Sequence, residues 1–348
     1  MHNVRKLSRS IGAALVPVLD QISAIAVRPG RRSKTLRLSL ALQGGGSLGA
    51  FTWGVLDRLL EEKDVSFDAV SGASAGAINA VVLASGLARG GAEGARQALA
   101  SFWQRTSEAA PRHGGSRVGT GVFDISSRVV SPYQFNPFDF NPLRSLLAEI
   151  DFEALRREPP LRLLIGATHV SDGRLTIFRE HQVTKDVVLA SACLPLLQHA
   201  VTIDGEAYWD GGYAANPPLM PLVSASRASD ILVVQIIPTE GQEVPRTSPD
   251  IIRRLNQMAF NNSLLHDLDT LESMAELAKD ERGESRLSRK LRRLRLHKLS
   301  AEDVVPDLRQ MSALDLDWHL LQRLRDTGRA SAESWLARQR EGALAPAP

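Results

Sequence analysis

The feature that most constrains the fold of this chain is a serine between closely spaced glycines. It lies at the junction of a predicted strand and a predicted helix. The motif Gly72-Ala73-Ser74-Ala75-Gly76 follows a short apolar stretch at residues 67–71 and precedes small and apolar residues at 77–84. A strand that turns sharply into a helix holds the middle side chain in an exposed position, and only small neighbours allow the tight approach. The sequence therefore predicts a nucleophile elbow, with the Ser74 hydroxyl at a helix N-terminus that favours developing negative charge.

A second glycine motif lies upstream, between another predicted strand and another predicted helix. Residues 36–42 alternate and then become apolar, like a strand entering a core, and residues 50–62 favour a helix. The glycines between them are Gly44, Gly45, Gly46 and Gly49. Consecutive glycines expose backbone N–H groups, which are the donors that an oxyanion hole requires. We therefore predict an oxyanion loop at the first three glycines, with the N–H of Ala75 as a further donor.

An acidic residue on a glycine turn completes the set. Asp210 follows an apolar stretch at residues 200–203 and precedes Gly211 and Gly212. Acyl transfer needs a nucleophile, a base and donors aimed at the oxyanion. We expect Ser74 to attack an ester carbonyl and Asp210 to accept its proton directly. Because a carboxylate is a weak base at its ordinary pKa, the site must raise that pKa by burial or hold Asp210 very close to the hydroxyl.

These three motifs, in this order, resemble those of the patatin-like family of lipid acyl hydrolases. The family's G-G-G-x-x-G loop is matched by residues 44–49, its G-x-S-x-G elbow by residues 72–76, and its D-G-G motif by residues 210–212. The family often has arginine or a small residue after the third glycine, where this chain has Ser47-Leu48. That difference leaves the backbone donors intact. The resemblance covers roughly residues 36–237, including Asn216 and the prolines that follow it.

The resemblance implies a three-layer α/β/α sandwich with a mixed, largely parallel central sheet and a C-terminal helical extension. It also implies that a Ser74–Asp210 dyad cleaves fatty acyl esters of phospholipids or lysophospholipids, and such a dyad needs no metal or other cofactor. Two other hypotheses stay open. One is hydrolysis of another hydrophobic ester, such as an intracellular storage polyester. The other is a catalytically idle lipid-binding scaffold, against which the intact Ser74 and Asp210 argue.

A histidine-assisted triad and a nucleotide-binding loop are alternative interpretations of the same motifs. A triad in the hydrolase order needs a histidine after the acid, and the candidates His266, His297 and His319 lie in charged or helical contexts. The loop glycines also satisfy G-x-G-x-x-G, but Asp68 lies at the start of its predicted strand, whereas a dinucleotide-binding acid ends its strand. The nucleotide interpretation also leaves the Ser74 elbow unexplained.

Length and composition fit one α/β domain with accessory segments. The chain has 348 residues and a formal net charge of +3. Its single cysteine, Cys193, excludes an internal disulfide framework and a cysteine metal cluster. We expect the hydrolase domain at residues 35–240, a mostly helical extension at residues 241–340 packed on or beside it, and a disordered tail at residues 341–348.

The N-terminal segment, residues 1–34, mixes basic and apolar stretches. Its apolar run at residues 11–19 is too short to span a bilayer, and Asp20 and the basic residues after it argue against an export signal. We expect a short helix on a membrane or on the domain, in a cytoplasmic protein with peripheral membrane contact. Export is the alternative.

Three later segments carry further expectations. Residues 133–142 are aromatic and proline-rich, and they either line or cover the acyl entrance or pack as a surface loop. Residues 251–279 favour a helix whose apolar residues are expected to face the core, namely Ile252, Leu255, Met258 and Phe260. Residues 286–298 contain seven basic residues and no acid.

The basic run at residues 286–298 has two interpretations. It would add about 1 kcal/mol per basic residue against an anionic membrane surface. Otherwise it forms a solvated helix face, or a strand with alternating arginines at residues 294–299. The mild net charge and the lack of an aromatic or zinc module argue against nucleic acid as a partner. No sequence pattern here specifies the oligomeric state.

Overall fold

The computed structural model describes residues 35–110, 131–239, 244–280 and 285–344. The predicted N-terminal segment at residues 1–34 and the last four residues of the predicted tail lie outside these ranges. The strands are β1 Leu36–Leu42, β2 Val65–Gly72, β3 Arg162–His169, β4 Leu175–Arg179, β5 Val201–Ile203, β6 Glu206–Asp210, β7 Asp230–Gln235 and β8 Arg295–Ser300. The helices are α1 Gly49–Leu59, α2 Ala75–Glu108, α3 Pro132–Phe135, α4 Pro142–Leu146, α5 Phe152–Arg157, α6 Lys185–Ser191, α7 Leu219–Ala225, α8 Ser248–Asp280, α9 Arg286–Arg293 and α10 Trp318–Leu344.

The strands form one mixed sheet in the order β5-β6-β3-β2-β1-β7-β8, with β4 paired to β3. The five strands from β3 to β8 in this order pair in parallel, whereas β4, β5 and β6 pair antiparallel. Parallel neighbours need crossover connections, and the helices of these connections cover both faces of the sheet. The predicted three-layer α/β/α sandwich is confirmed.

Alternate residues of the central strands enter two apolar cores on opposite faces of the sheet. Leu40 of β1 and Leu232 of β7 belong to the core that contains α1, α2 and α10. Their neighbours Ala41 and Ile231 belong to the core that contains α7, α8 and α9. A strand buried on both faces needs apolar residues at successive positions, which explains the uninterrupted apolar sequence of β7.

The pairing of β3 brings two strand ends together. β4 hydrogen-bonds to one side of β3 along most of its length. β2 and β6 therefore share the hydrogen-bonding groups on the other side of β3. Along that edge β2 pairs as far as Ile165, and the pairing with β6 starts at Ala167. β2 runs with β3 and ends at Gly72, whereas β6 runs against β3 and ends at Asp210. The elbow and the acidic turn therefore meet head to head.

The C-terminal part of the chain packs onto the main fold. β8 extends the sheet beyond β7, and α10 lies against α1. Arginines from α10, Arg325 and Arg329, pair with the buried Asp57 of α1. A Cβ on Gly54 would overlap the carbonyl of Arg325, so the two helices approach closely at this glycine. None of the described helices combines the length and apolarity needed to cross a bilayer.

The predicted core-facing residues of α8 are in part exposed. Ile252, Leu255 and Met258 are exposed, so the prediction is wrong for these three residues, while Phe260 is partly buried against the core. The buried apolar stripe of the helix comes later, at Leu264, Leu271 and Ala278. In its first half the inward position is taken by a polar residue, Asn261, which hydrogen-bonds groups near the glycine loop.

The basic run at residues 286–298 lies where the parallel strands begin. The glycine motifs lie at the opposite end of these strands, because each motif follows the end of a strand. The strand interpretation of residues 294–299 is confirmed by β8, which starts at Arg295 beside Asp230. Arg295 forms an ion pair with Asp230. Lys290 donates to the carbonyl oxygens of Ser224 and Ser226 at 2.9 and 2.7 Å. These two cations therefore satisfy groups within the fold.

Candidate active site

Ser74 occupies the turn between β2 and α2 in a backbone conformation that residues other than glycine rarely adopt. Its φ is 54° and its ψ is −127°, outside the helical and extended regions. A Cβ on Gly76 would overlap the carbonyl of Leu42, so the turn lies directly against β1. The Ser74 N–H donates to the carbonyl oxygen of Ser191 at 3.0 Å and to its hydroxyl at 3.1 Å. The surroundings thus hold a strained turn that presents the serine at the start of α2.

Asp210 lies at the end of β6 and is completely buried, with 0% exposure. Its N–H donates to the carbonyl of Cys193 at 2.8 Å, and its Oδ1 accepts from the N–H of Gly212 at 2.7 Å. Burial raises the pKa of Asp210 to about 7, although the nearby Ser74 hydroxyl and the hydrogen bond from the Gly212 N–H act to lower it. A carboxylate with this pKa can accept and return a proton near neutral pH.

The Ser74 hydroxyl and the Asp210 carboxylate are neighbours. The hydroxyl is close enough to favour the ionised carboxylate, yet Oδ2 of Asp210 has no well-formed hydrogen bond to any described residue. Burying an unpartnered polar oxygen is unfavourable, so this atom is poised to accept a hydrogen bond or a proton. Such contacts are often long or poorly aligned in unliganded sites and shorten when substrate binds.

The glycine loop after β1 packs directly against the elbow. A Cβ on Gly44 would lie 2.6 Å from the Ser74 Cβ, so only glycine allows this approach. The Asn216 side chain holds the loop, because its Oδ1 accepts from the Gly44 N–H at 2.6 Å and its Nδ2 donates to the Gly44 carbonyl at 3.1 Å. The predicted donor role of Gly44 is corrected accordingly. Its N–H is already used, and the residue serves the close packing of the loop.

Three other N–H groups near the serine remain available. Among the described residues, none accepts a hydrogen bond from the N–H of Gly45, Gly46 or Ala75. Ala75 is the first residue of α2, so its N–H has no acceptor within the helix. Gly46 has a φ of 59°, which favours glycine. These three groups are the candidate oxyanion donors.

The remaining motif glycines allow close packing around the site. A Cβ at any of them would come within 2.8 Å of a neighbouring atom, and these residues are Gly49, Gly72, Gly211 and Gly212. At Gly212 the neighbour is the ring of Phe260, which brings α8 against the acidic turn.

No sequence motif singles out the buried amides that support the loop. Gln43 accepts from the N–H groups of Ile236 and Ile237 at 2.8 and 2.9 Å and donates to Asn261 at 2.8 Å. It therefore connects the loop, the end of β7 and α8. For Asn216 the available signal is its position just after the acidic turn, within the stretch that resembles the family.

The residues of the alternative interpretations lie elsewhere. His297 hydrogen-bonds Asp230 at 2.9 Å, at the edge where the parallel strands begin. No hydrogen bond connects any described histidine to Ser74 or Asp210. Asp68 pairs with arginine side chains near the first residue of β3, away from the glycine loop. Within the described ranges, no three His, Cys, Asp or Glu side chains are grouped to hold a metal ion.

Comparison with known proteins identifies the family. The family model described as patatin-like phospholipase matches residues 40–223, which is more than half of the chain. The chain therefore belongs to the patatin-like phospholipase family, and this membership supports a lipid acyl hydrolase. The resemblance predicted from the three motifs is confirmed.

Individual relatives are distant. The chain is 23% identical to the uncharacterized protein YjjU of Escherichia coli K12 over 326 aligned residues. The alignment covers 86% of this chain and 80% of the relative. Among solved structures it is similar to VipD from Legionella pneumophila, with 16% identity, a TM-score of 0.37, and coverage of 85% of this chain and 67% of that one. It is also similar to a chain of the heterodimeric ExoU–SpcU complex from the type III secretion system of Pseudomonas aeruginosa. The identity there is 17%, the TM-score 0.30, and the coverage 89% of this chain and 60% of that one. Similarities this weak define neither substrate nor partner.

We predict that Asp210→Asn stabilises the fold increasingly as the pH rises from 4 to 7. The ordinary pKa is 3.8 and the folded-state pKa is about 7, so the native state loses its proton less readily than the unfolded chain. Above pH 7 the buried charge therefore destabilises the wild type by about 4 kcal/mol, and below about pH 4 this effect vanishes. Urea denaturation at both ends of this range measures the difference. Ser74→Ala, which keeps the carboxyl group, should retain the pH dependence. If the free energies of unfolding of Asp210→Asn and wild type differed by the same amount at both pH values, the raised pKa of Asp210 would be wrong.

Proposed function

We propose that this chain is a serine-dependent hydrolase of fatty acyl esters in phospholipids or lysophospholipids. Family membership supports the class of reaction. The observation that carries the residue assignment is the buried Asp210 carboxylate next to the Ser74 hydroxyl, on a strained turn at the start of a helix. A pKa of about 7 gives this carboxylate the basicity that an ordinary aspartate lacks.

In the first half-reaction the Ser74 Oγ attacks the carbonyl carbon of the ester while its proton passes to Asp210. The tetrahedral oxyanion accepts hydrogen bonds from the candidate donors, the N–H groups of Gly45, Gly46 and Ala75. The bond to the leaving alcohol then breaks, and Asp210 returns the proton to the alcohol oxygen. The product of this step is an acyl-serine ester.

In the second half-reaction water attacks the acyl-serine. Asp210 accepts a proton from the water molecule, and the same N–H groups stabilise the second oxyanion. When the bond to Ser74 breaks, Asp210 returns the proton to the serine oxygen, and the fatty acid leaves. Two groups therefore perform both steps, because one carboxylate acts in turn as base and acid.

Substitution of the two residues tests the assignment. Ser74→Ala should abolish labelling by a fluorophosphonate probe and hydrolysis of phosphatidylcholine and lysophosphatidylcholine. Asp210→Asn should lower both rates by about 10²–10⁴-fold, since it removes the general base. Ser85→Ala, further along α2, is the control and should retain both activities.

The outcomes separate the hypotheses. Hydrolysis that persists in Ser74→Ala would refute the assignment of the nucleophile. A wild-type protein that is labelled but cleaves only a hydroxyalkanoate polyester would favour the alternative ester substrate. A wild-type protein with neither labelling nor hydrolysis, with or without vesicles, would favour a lipid-binding scaffold.

The pH dependence of kcat/KM provides a separate prediction. Since the ionised form of Asp210 is the base, kcat/KM should rise about tenfold per pH unit below pH 7 and level off above it. The measurement uses a water-soluble short-chain ester between about pH 5 and pH 9, so that lipid ionisation plays no part. A midpoint near the ordinary aspartate value of 3.8 would contradict an Asp210 base whose pKa is raised by burial.

Asn216 is predicted to position the oxyanion loop. Asn216→Ala removes both hydrogen bonds to Gly44, so the N–H groups that follow in the loop lose their fixed direction. Because these donors act on the transition state, kcat should fall about 10- to 100-fold with little change in KM. Steady-state kinetics on a soluble ester measure the two parameters.

A matched control separates this effect from general destabilisation. Ser226→Ala also removes a buried hydrogen-bonding side chain, but at the opposite edge of the sheet, where Ser226 bonds Ser39 at 2.8 Å. It should lower the melting temperature without lowering kcat. If Asn216→Ala raised KM and left kcat unchanged, the positioning role would be wrong.

A further inference from the structure

A short loop between α3 and α4 presents two phenylalanine side chains to solvent. In this aromatic loop, residues 136–140, Phe138 is 93% exposed and Phe140 is 73% exposed. Large apolar side chains that are grouped and almost fully exposed are typical of surfaces that bind another apolar phase. The loop therefore needs an explanation beyond packing within the described part of the chain.

Hydrogen bonds within the loop fix the conformation that exposes Phe138 and Phe140. Asn136 clamps it with its side-chain amide, which accepts from the Phe140 N–H at 2.9 Å and donates to the Phe140 carbonyl at 3.0 Å. The N–H of Asp139 also donates to the carbonyl of Asn136 at 3.0 Å. Asp139 itself has a φ of 50°, in the left-handed region. These bonds fix a tight turn with the two rings on either side of its tip.

The loop is fastened beside the candidate active site. Ahead of it, the Tyr133 ring stacks on His199 with centroids 4.1 Å apart, and its hydroxyl accepts from the Ala200 N–H at 3.1 Å. The segment at residues 193–200 is the one whose first carbonyl accepts from the N–H of Asp210. Within this segment the Cys193 thiol donates to the carbonyl oxygen of His199 at 3.0 Å, which connects the support of the acidic turn to the residue on which Tyr133 stacks.

Exposed apolar side chains continue from the site onto α8. Tyr213, three residues after Asp210, is partly exposed and packs edge-on against Phe260 with centroids 5.0 Å apart. Further towards the N-terminus of α8, the exposed side chains of Ile251, Leu255 and Met258 follow helical spacing along one face.

We infer that the aromatic loop inserts into the acyl-chain region of a lipid surface and holds the Ser74 site against it. The inference rests on the proposed function for the identity of the apolar phase. Contact is made through apolar side chains, because the basic run at residues 286–298 lies at the opposite edge of the sheet and two of its cations bond within the fold. Binding should accordingly need no anionic lipid.

Vesicle binding of the full-length chain tests this inference. The double substitution Phe138→Ser and Phe140→Ser should lower co-sedimentation with phosphatidylcholine vesicles at least about tenfold. Wild-type binding should change little between about 0.1 and 0.5 M sodium chloride, or when anionic phosphatidylglycerol is added, since apolar contacts are not screened. Leu277→Ser is the matched control, because Leu277 is 74% exposed near the far end of α8. It should bind like wild type.

Hydrolysis of a soluble short-chain ester separates this inference from the proposed function. The double variant should keep wild-type kcat/KM on that ester and lose activity only on vesicles. If the wild type cleaves no ester but its vesicle binding still depends on the two phenylalanines, the proposed function fails and the inference stands. Unchanged vesicle binding by the double variant would overturn the inference.

Two other results would also overturn it. Binding that requires phosphatidylglycerol and disappears at high salt would assign membrane contact to the basic run. Self-association of the wild type in analytical ultracentrifugation, abolished in the double variant with vesicle binding unchanged, would make a second copy of the chain the occupant of the loop.

Discussion

The burial of the Asp210 carboxylate, without a cationic partner among the described residues, is the constraint on which the rest of the site depends. The other buried aspartates that the structure describes with arginine partners are Asp57, Asp68 and Asp230. Burial acts to raise the pKa of each, but arginines and other hydrogen-bond donors outweigh it and lower the pKa. Asp210 has no such arginine among the described residues, so burial prevails. Burial therefore makes the ionised carboxylate destabilising and also raises its basicity. This combination is typical of functional rather than structural carboxylates.

The sheet places this buried carboxylate next to Ser74. β2 and β6 approach each other along a single edge of β3, so the serine and the acid meet although 136 positions separate them in the chain. The gap is narrow, and the elbow, the acidic turn and the glycine loop each approach it closely through a glycine. The loop from β1 passes over the serine at Gly44 and is fixed there by Asn216. The two large apolar cores on either side of the sheet keep these elements in place.

Local backbone requirements explain why the motifs could be predicted from the sequence. A strained turn at Ser74 and a close approach at Gly44 each demand small residues at fixed spacing, and spacing is visible in a single chain. The Asn216 clamp could not be predicted, because its partner lies 172 positions away and an isolated amide has no pattern. The exposed residues of α8 were predicted as core for a related reason. Periodicity shows which residues share a face, but not whether another element covers that face.

The direction of the parallel strands gives the two edges of the sheet different chemistry. Where the strands begin, Asp68, Asp230 and Lys290 are satisfied by partners within the fold. Where they end, the chain places the elbow, the glycine loop and, beside them, the aromatic loop. In the proposed function, the substrate keeps its long acyl chains in an apolar phase, so its ester bond is reached most readily through apolar contacts at the edge that carries the candidate nucleophile. Strand direction therefore places Ser74 and the exposed aromatic loop at the same edge of the sheet, the edge that we propose meets lipid.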